Sequence, residues 1–186
     1  MEYIKQYNTN EVYVNEKLTE KIGKINSYPL TVVEAPMGYG KTTAIKIYIN
    51  KFHTNYYWQN IYTNSDIAFW QGFCRIDSNA GSRLKNIGLP KDSIKLEECI
   101  ELINSIYIKD EIAIILDDYH LINNKNLDEL IYNLVKSMDN KIHLIIITRN
   151  KPNIEIEELQ LKKLVNYITK NCLEFEKYDI KKYYKL

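Results

Sequence analysis

The sequence predicts an α/β fold with a mostly parallel central sheet of about five strands and helices on both faces. Three observations carry that prediction. Short, continuous apolar runs recur, at Leu30-Thr31-Val32-Val33, Ile112-Ala113-Ile114-Ile115-Leu116 and His143-Leu144-Ile145-Ile146-Ile147-Thr148, and such runs read as strands buried on both faces of a parallel sheet. Between them lie segments with apolar residues at helical spacing, the alternation that builds strands and crossover helices. Each run also ends in polar residues, at the strand carboxyl ends where open α/β sheets gather ligands.

The first run leads into Ala35-Pro36-Met37-Gly38-Tyr39-Gly40-Lys41-Thr42-Thr43, and an amphipathic segment follows. This stretch meets G-x-x-x-x-G-K-[ST] with one departure, Ala35 at the first glycine position, which is the smallest replacement. Gly38 and Gly40 let the backbone turn tightly and aim successive N–H groups at one point. A helix opening at about Lys41 directs its positive dipole end to the same place. The stretch therefore reads as the phosphate-binding loop of a P-loop NTPase: Gly38, Tyr39, Gly40, Lys41, Thr42 and Thr43 cradle the phosphates, Lys41 reaches the β- and γ-phosphates, and the Thr42 hydroxyl completes a Mg²⁺ shell. The Tyr39 side chain itself reads as a rim or packing group. Glu34, just before the loop, is a charge that must be paired or turned away from phosphate. The bland alternative is a glycine-rich turn with no ligand.

Further on, Tyr56 to Ile61 reads as a second strand, Asp66 to Arg75 as a short helix, and Asp77 to Pro90, with its Ser, Asn and Gly, as a loop. From Leu96, the positions Cys99, Ile100, Ile103 and Tyr107 fall at helical spacing. The run from Ile112 then ends in Asp117-Asp118, a Walker B pattern: Asp117 holds Mg²⁺, directly or through water, and Asp118 orients or deprotonates an attacking water. Asn126 with Glu129 resembles a capping box ahead of the core-facing stripe Leu127, Leu130, Ile131, Leu134, Val135 and Met138. The run from His143 ends in Arg149, which reads either as a γ-phosphate sensor or as a surface arginine paired with an acid. Pro152 breaks the chain, a short helix is expected around Glu155 to Asn166, a last short strand over Cys172 to Phe175, and a helix from Asp179 to Leu186.

These motifs, in register, carry a resemblance. Ala35 to Thr43, Asp117-Asp118-Tyr119-His120-Leu121-Ile122 and Thr148-Arg149-Asn150-Lys151-Pro152, with Trp58 and Cys172-Leu173-Glu174-Phe175, closely resemble the ATPase core of MalT-like regulators from about Val14 to the last residues. Those are ATP-dependent transcriptional activators of the STAND class that end in a LuxR-type helix-turn-helix. The resemblance implies a STAND/AAA-like nucleotide switch: ADP keeps the protein closed, and ATP with an inducer favours a homo-oligomer. It implies Gly38, Gly40, Lys41 and Thr42 for phosphate and metal, Asp117 for magnesium, Asp118 for slow hydrolysis and Arg149 for sensing the γ-phosphate. Asn15 departs from the pattern, standing where the family often shows a basic residue. No base-reading motif accompanies the loop, so the choice of adenine rests on the resemblance alone.

On this reading residues 1–186 form a single P-loop nucleotide-binding domain, the N-terminal fragment of a longer regulator whose lid, sensor and DNA-binding domains lie beyond it. Two alternatives stay open: a stand-alone P-loop enzyme such as a small-molecule kinase, and a nucleotide-dependent interaction module without turnover. A formal net charge of +1 gives no general pull toward nucleic acid, so direct DNA binding by this fragment is not expected. The run Lys181-Lys182-Tyr183-Tyr184-Lys185 reads as the solvated start of a helix rather than a nucleic-acid patch. The apolar runs are strand-sized and Met1 to Lys5 lacks a signal-peptide core, which predicts a cytoplasmic protein away from membranes. Cys74, Cys99 and Cys172 are widely spaced and read as reduced, buried thiols, and His53, His120 and His143 show no zinc spacing. His120, beside the Walker B carboxylates, reads as a packing or hydrogen-bonding group.

Overall fold

Successive side chains of a strand point to opposite faces, so a strand that is apolar throughout needs cover on both sides. The computed structural model, which describes residues 13–52, 55–106 and 109–184, supplies that cover. Five strands, β1 (Leu30–Glu34), β2 (Asn55–Asn60), β3 (Ile112–Asp117), β4 (Ile142–Thr148) and β5 (Val165–Thr169), form one all-parallel sheet in the order β2-β3-β4-β1-β5. Helices α1 (Glu16–Gly23), α2 (Lys41–Phe52) and α8 (Lys170–Leu173) cover one face, packing on Val33, Ala113, Ile115, Ile145, Ile147 and Ile168. Helices α3 (Asp66–Phe73), α4 (Ser78–Ile87), α5 (Ser93–Asn104), α6 (Lys125–Ser137) and α7 (Ile156–Leu161) cover the other, against Leu30, Val32, Leu116, Leu144 and Ile146. Each large aliphatic side chain so buried contributes roughly 1.5–3 kcal/mol. The expected α/β P-loop architecture is therefore the observed one.

Several elements differ from the sequence reading. The segment expected as a loop over Asp77 to Pro90 contains α4: Asp77 caps it, accepting from the Ala80 N–H at 2.7 Å, and Gly88, at φ +82°, ends it. Gly81 belongs there because a Cβ would stand 1.8 Å from the Cys74 carbonyl oxygen, a contact only glycine permits. The cap of α6 is Asn124, whose Oδ1 accepts from the N–H groups of Asn126 and Leu127; Asn126 lies inside the helix, so the capping box at Asn126 does not form.

The last strand is Val165–Thr169, in register with β1 from Leu30 to Glu34, and not Cys172–Phe175. The helix expected up to Asn166 ends at Leu161, where Lys163 turns left-handed at φ 57°. Residues Cys172 and Leu173 instead sit in the single turn α8, with Cys172 half-buried rather than buried. A final helix, α9 (Lys177–Tyr183), begins two residues earlier than expected, so the basic run falls at its end rather than its start. His53, Tyr107 and Leu186 lie outside the described residues. Among the described residues no helix is long and apolar enough to cross a membrane.

Candidate functional site

The sheet order makes β1, β4 and β3 consecutive neighbours, which gathers three motifs at one carboxyl edge. Glu34 pairs with Thr148 and Leu116 with Ile146, so the loop after β1, the Arg149 end of β4 and the two carboxylates of β3 stand side by side.

The loop from Ala35 to Gly40 turns through Gly38 at φ +89° and Gly40 at φ +74°, left-handed conformations that L side chains rarely adopt. This backbone delivers Lys41 to the first turn of α2. Lys41 is buried, and its Nζ donates to the carbonyl oxygens of Ala35 at 2.7 Å and Pro36 at 3.0 Å, two of its three N–H donors. Burial lowers its pKa, opposed mainly by the nearby Asp118 carboxylate. Tyr39 is half-buried and packs on the α2 side of the core, while Thr43 is exposed.

Thr42 Oγ1 lies 3.2 Å from Asp117 Oδ2 and 3.4 Å from Oδ1, which brings together the two sequence-predicted metal positions. Asp117 is buried at the end of β3, and its Oδ1 also accepts the Asp118 backbone N–H at 3.0 Å. Burial, then the neighbouring Asp118 charge, raises the Asp117 pKa; the Thr42 hydroxyl and the Asp118 N–H act the other way. A hydroxyl and carboxylate oxygens are hard donors of the kind Mg²⁺ takes, and Mg²⁺ is usually held by one or two carboxylates together with substrate phosphates. Among the described residues there is no group of three or more His, Cys, Asp or Glu that could hold a metal ion.

Asp118 adopts the left-handed conformation, φ 60° and ψ 37°, which Asp and Asn tolerate better than most residues. The turn lifts its carboxylate out of the strand, where Oδ1 lies 3.7 Å from Arg149 Nε and 3.7 Å from His120 Nδ1. Burial, with Arg149 next, lowers the His120 pKa, opposed by the Asp118 carboxylate. Lys41, Thr42, Asp117, Asp118 and Arg149 thus share one corner of the sheet.

Three nearby contacts were not foreseen. The Tyr167 hydroxyl, on β5, donates to Glu34 Oε2, which turns the loop's awkward charge toward the edge strand; burial and that carboxylate push the phenol well above its usual range. Tyr119 donates to the buried Asp128 at 2.8 Å, fixing the segment after the carboxylates onto α6. Asn15 is buried: its Oδ1 accepts from the Leu18 N–H at 2.7 Å to cap α1, and its Nδ2 donates to the carbonyls of Cys172 and Glu174. A basic residue could not accept at that cap, so Asn15 has a local structural role. The Asn15 cap of α1 is local, but the Glu34–Tyr167 contact and the Asn15 bonds to Cys172 and Glu174 join distant positions that no motif of fixed spacing announces.

No family model matches the chain. Among solved structures it is similar to the Walker-type ATPase PABY2304 of Pyrococcus abyssi, with a TM-score of 0.51 and 13% identity over 95% of this chain and 58% of that one. It is also similar to a chain in the structure of Drosophila ORC bound to AT-rich DNA and Cdc6, with a TM-score of 0.53 and 11% identity over 86% of this chain and 59% of that one. The chain therefore spans less than two thirds of either. These likenesses show the fold, a five-stranded parallel sheet between helices, shared with those ATPase structures.

Proposed function

We propose that this chain is the ATP-binding switch module of a MalT-like, LuxR-family transcriptional regulator, binding Mg²⁺-ATP or Mg²⁺-ADP and hydrolysing ATP slowly. The observation that carries the nucleotide site is the convergence of the loop lysine, the Thr42–Asp117 pair and the Asp118–Arg149 pair at one sheet edge. The finer identity rests on the three motifs in order along the chain.

In this reading the loop amides from Gly38 to Thr43 and the α2 dipole bind the phosphates, and Lys41 exchanges its carbonyl partners for phosphate oxygens. Thr42 and Asp117 hold Mg²⁺, which when bound neutralises charge on the phosphates. Asp118 accepts a proton from, or orients, the attacking water, and Arg149 supplies positive charge as negative charge moves during transfer. A switch requires unequal affinity for the ligand in its two states, and in this proposal a γ-phosphate contact from Arg149 supplies it. An ATP-dependent homo-oligomer and further domains for lid, sensor and DNA binding complete the proposal; this segment alone binds neither specific DNA nor membrane.

The test is turnover with Mg²⁺-ATP and no added acceptor. Slow phosphate release that is lost in Asp118→Asn supports the switch, whereas ADP formation only in the presence of a small-molecule acceptor supports a kinase instead.

A further inference from the structure

On the side of the sheet opposite α2, α3, the end of α4 and the start of α5 bound a second concavity of about 1000 Å³ that shares no residue with the P-loop corner. Four cationic side chains line it: Arg75 beyond α3, Lys85 on α4, Lys91 in the connection and Lys95 on α5. None of the four forms an ion pair among the described residues. The wall has one carboxylate, Asp66, and it is already engaged, with Oδ2 accepting from Asn124 Nδ2 at 2.7 Å. Charges of one sign in a concavity reinforce each other's field and raise the local concentration of anions.

Trp70 stands in the same wall and is 5% exposed. Beside it, Ile67, 67% exposed, and Leu89 give the cleft an apolar surface.

We propose that this cleft binds a small organic polyanion, a compact molecule carrying two or three carboxylate or phosphate groups on an apolar body. The charged groups meet Arg75, Lys85, Lys91 and Lys95, and the body rests on Ile67 and Leu89 beside Trp70. The alternative occupant, a nucleic-acid backbone, calls for an extended basic track and a basic domain; here the cations ring a concavity in a chain of net charge +1.

The chain has two tryptophans, so Trp58→Phe leaves Trp70 as the sole reporter of the cleft. That protein is titrated with benzene-1,3,5-tricarboxylate and with fructose 1,6-bisphosphate, one carboxylate and one phosphate probe, and the unsubstituted chain is titrated by calorimetry in parallel. The expected result is a saturable change in Trp70 emission with at least one probe, at a dissociation constant below about 1 mM. Lys91→Glu with Lys95→Glu should weaken it by about tenfold or more, and Lys41→Ala should leave it unchanged. The tighter probe identifies the anion chemistry. No saturable signal with either probe overturns the proposal, as does binding lost in Lys41→Ala but kept in the double lysine variant, which would put the probe in the P-loop. Tighter binding of a DNA duplex than of either probe, lost in the double lysine variant, reassigns the patch to nucleic acid.

Discussion

The Arg149 guanidinium sits 3.7 Å from the Asp118 carboxylate, linking the ends of β4 and β3 beside the P-loop. Both side chains are nearly half exposed, and an ion pair in that setting is worth only about 0–1 kcal/mol. The sequence left Arg149 as a sensor or a paired surface arginine. The contact shows it paired with Asp118, and its response to nucleotide is what separates the two readings.

Arg149→Ala should therefore change thermal stability little while changing nucleotide discrimination. A charged hydrogen bond to a γ-phosphate is worth roughly 1.5–3 kcal/mol, so ATP affinity should fall by about tenfold or more with ADP affinity nearly unchanged. Calorimetric titration of both nucleotides into parent and variant checks this. An unaltered ratio of the two affinities would leave Arg149 a structural residue only.

Asp118 offers a separation of backbone from chemistry. Because asparagine tolerates its left-handed conformation, Asp118→Asn should keep the fold and nucleotide binding while reducing turnover by about 10²-fold or more, since an amide cannot accept the proton. Asp118→Ala loses the carboxylate and also strains the turn, so it should melt at a lower temperature than Asp118→Asn. Phosphate release and melting curves for the two variants check this together.

Asp117 sets stability against function. Its pKa is raised in the folded protein, chiefly by burial, so the charged form is disfavoured at neutral pH and the folded state loses stability as pH rises through that pKa. Asp117→Asn removes the penalty and keeps an acceptor for Thr42 and the Asp118 N–H. At pH 7, without nucleotide, the variant should gain on the order of 1 kcal/mol, roughly 2–4 °C in Tm. The gain should shrink toward pH 4 as the parent's carboxyl protonates, and the Mg²⁺-dependent part of ADP binding should weaken. A destabilised variant at pH 7 would contradict the sign.

The Asn15 contacts make the N-terminal segment a stability element. Asn15→Ala removes a helix cap and two long-range hydrogen bonds, and should lower stability by about 1–3 kcal/mol in urea unfolding. An effect confined to nucleotide affinity would point instead to a ligand-contacting role.

Legibility in the sequence followed the range of the interactions. Strands β1, β3 and β4 are central, and burial on both faces makes them unbroken apolar runs, so they and the motifs at their ends could be read directly. Strand β5 lies at an edge: Val-Asn-Tyr-Ile-Thr alternates weakly, and only its register with β1 identifies it. Helix α4 was hidden by Gly81, whose presence answers to the Cys74 carbonyl and not to local turn chemistry. At the site, residue types and spacing revealed Lys41, Thr42, Asp117, Asp118 and Arg149. The tether of Glu34 to Tyr167, 133 residues away, depends on β1 and β5 being neighbours, and no local pattern encodes that.

The central claim is that the corner formed by β1, β3 and β4 binds a nucleoside triphosphate through Lys41. Its most direct test is the melting temperature of the parent and of Lys41→Ala with Mg²⁺-ADP or Mg²⁺-ATP at millimolar concentration. A ligand at about 100 times its dissociation constant adds roughly 2.7 kcal/mol, so the parent should rise by about 5–10 °C, and Lys41→Ala should lose most of that shift. A parent curve unmoved by either nucleotide, or an equal shift in Lys41→Ala, would contradict the account.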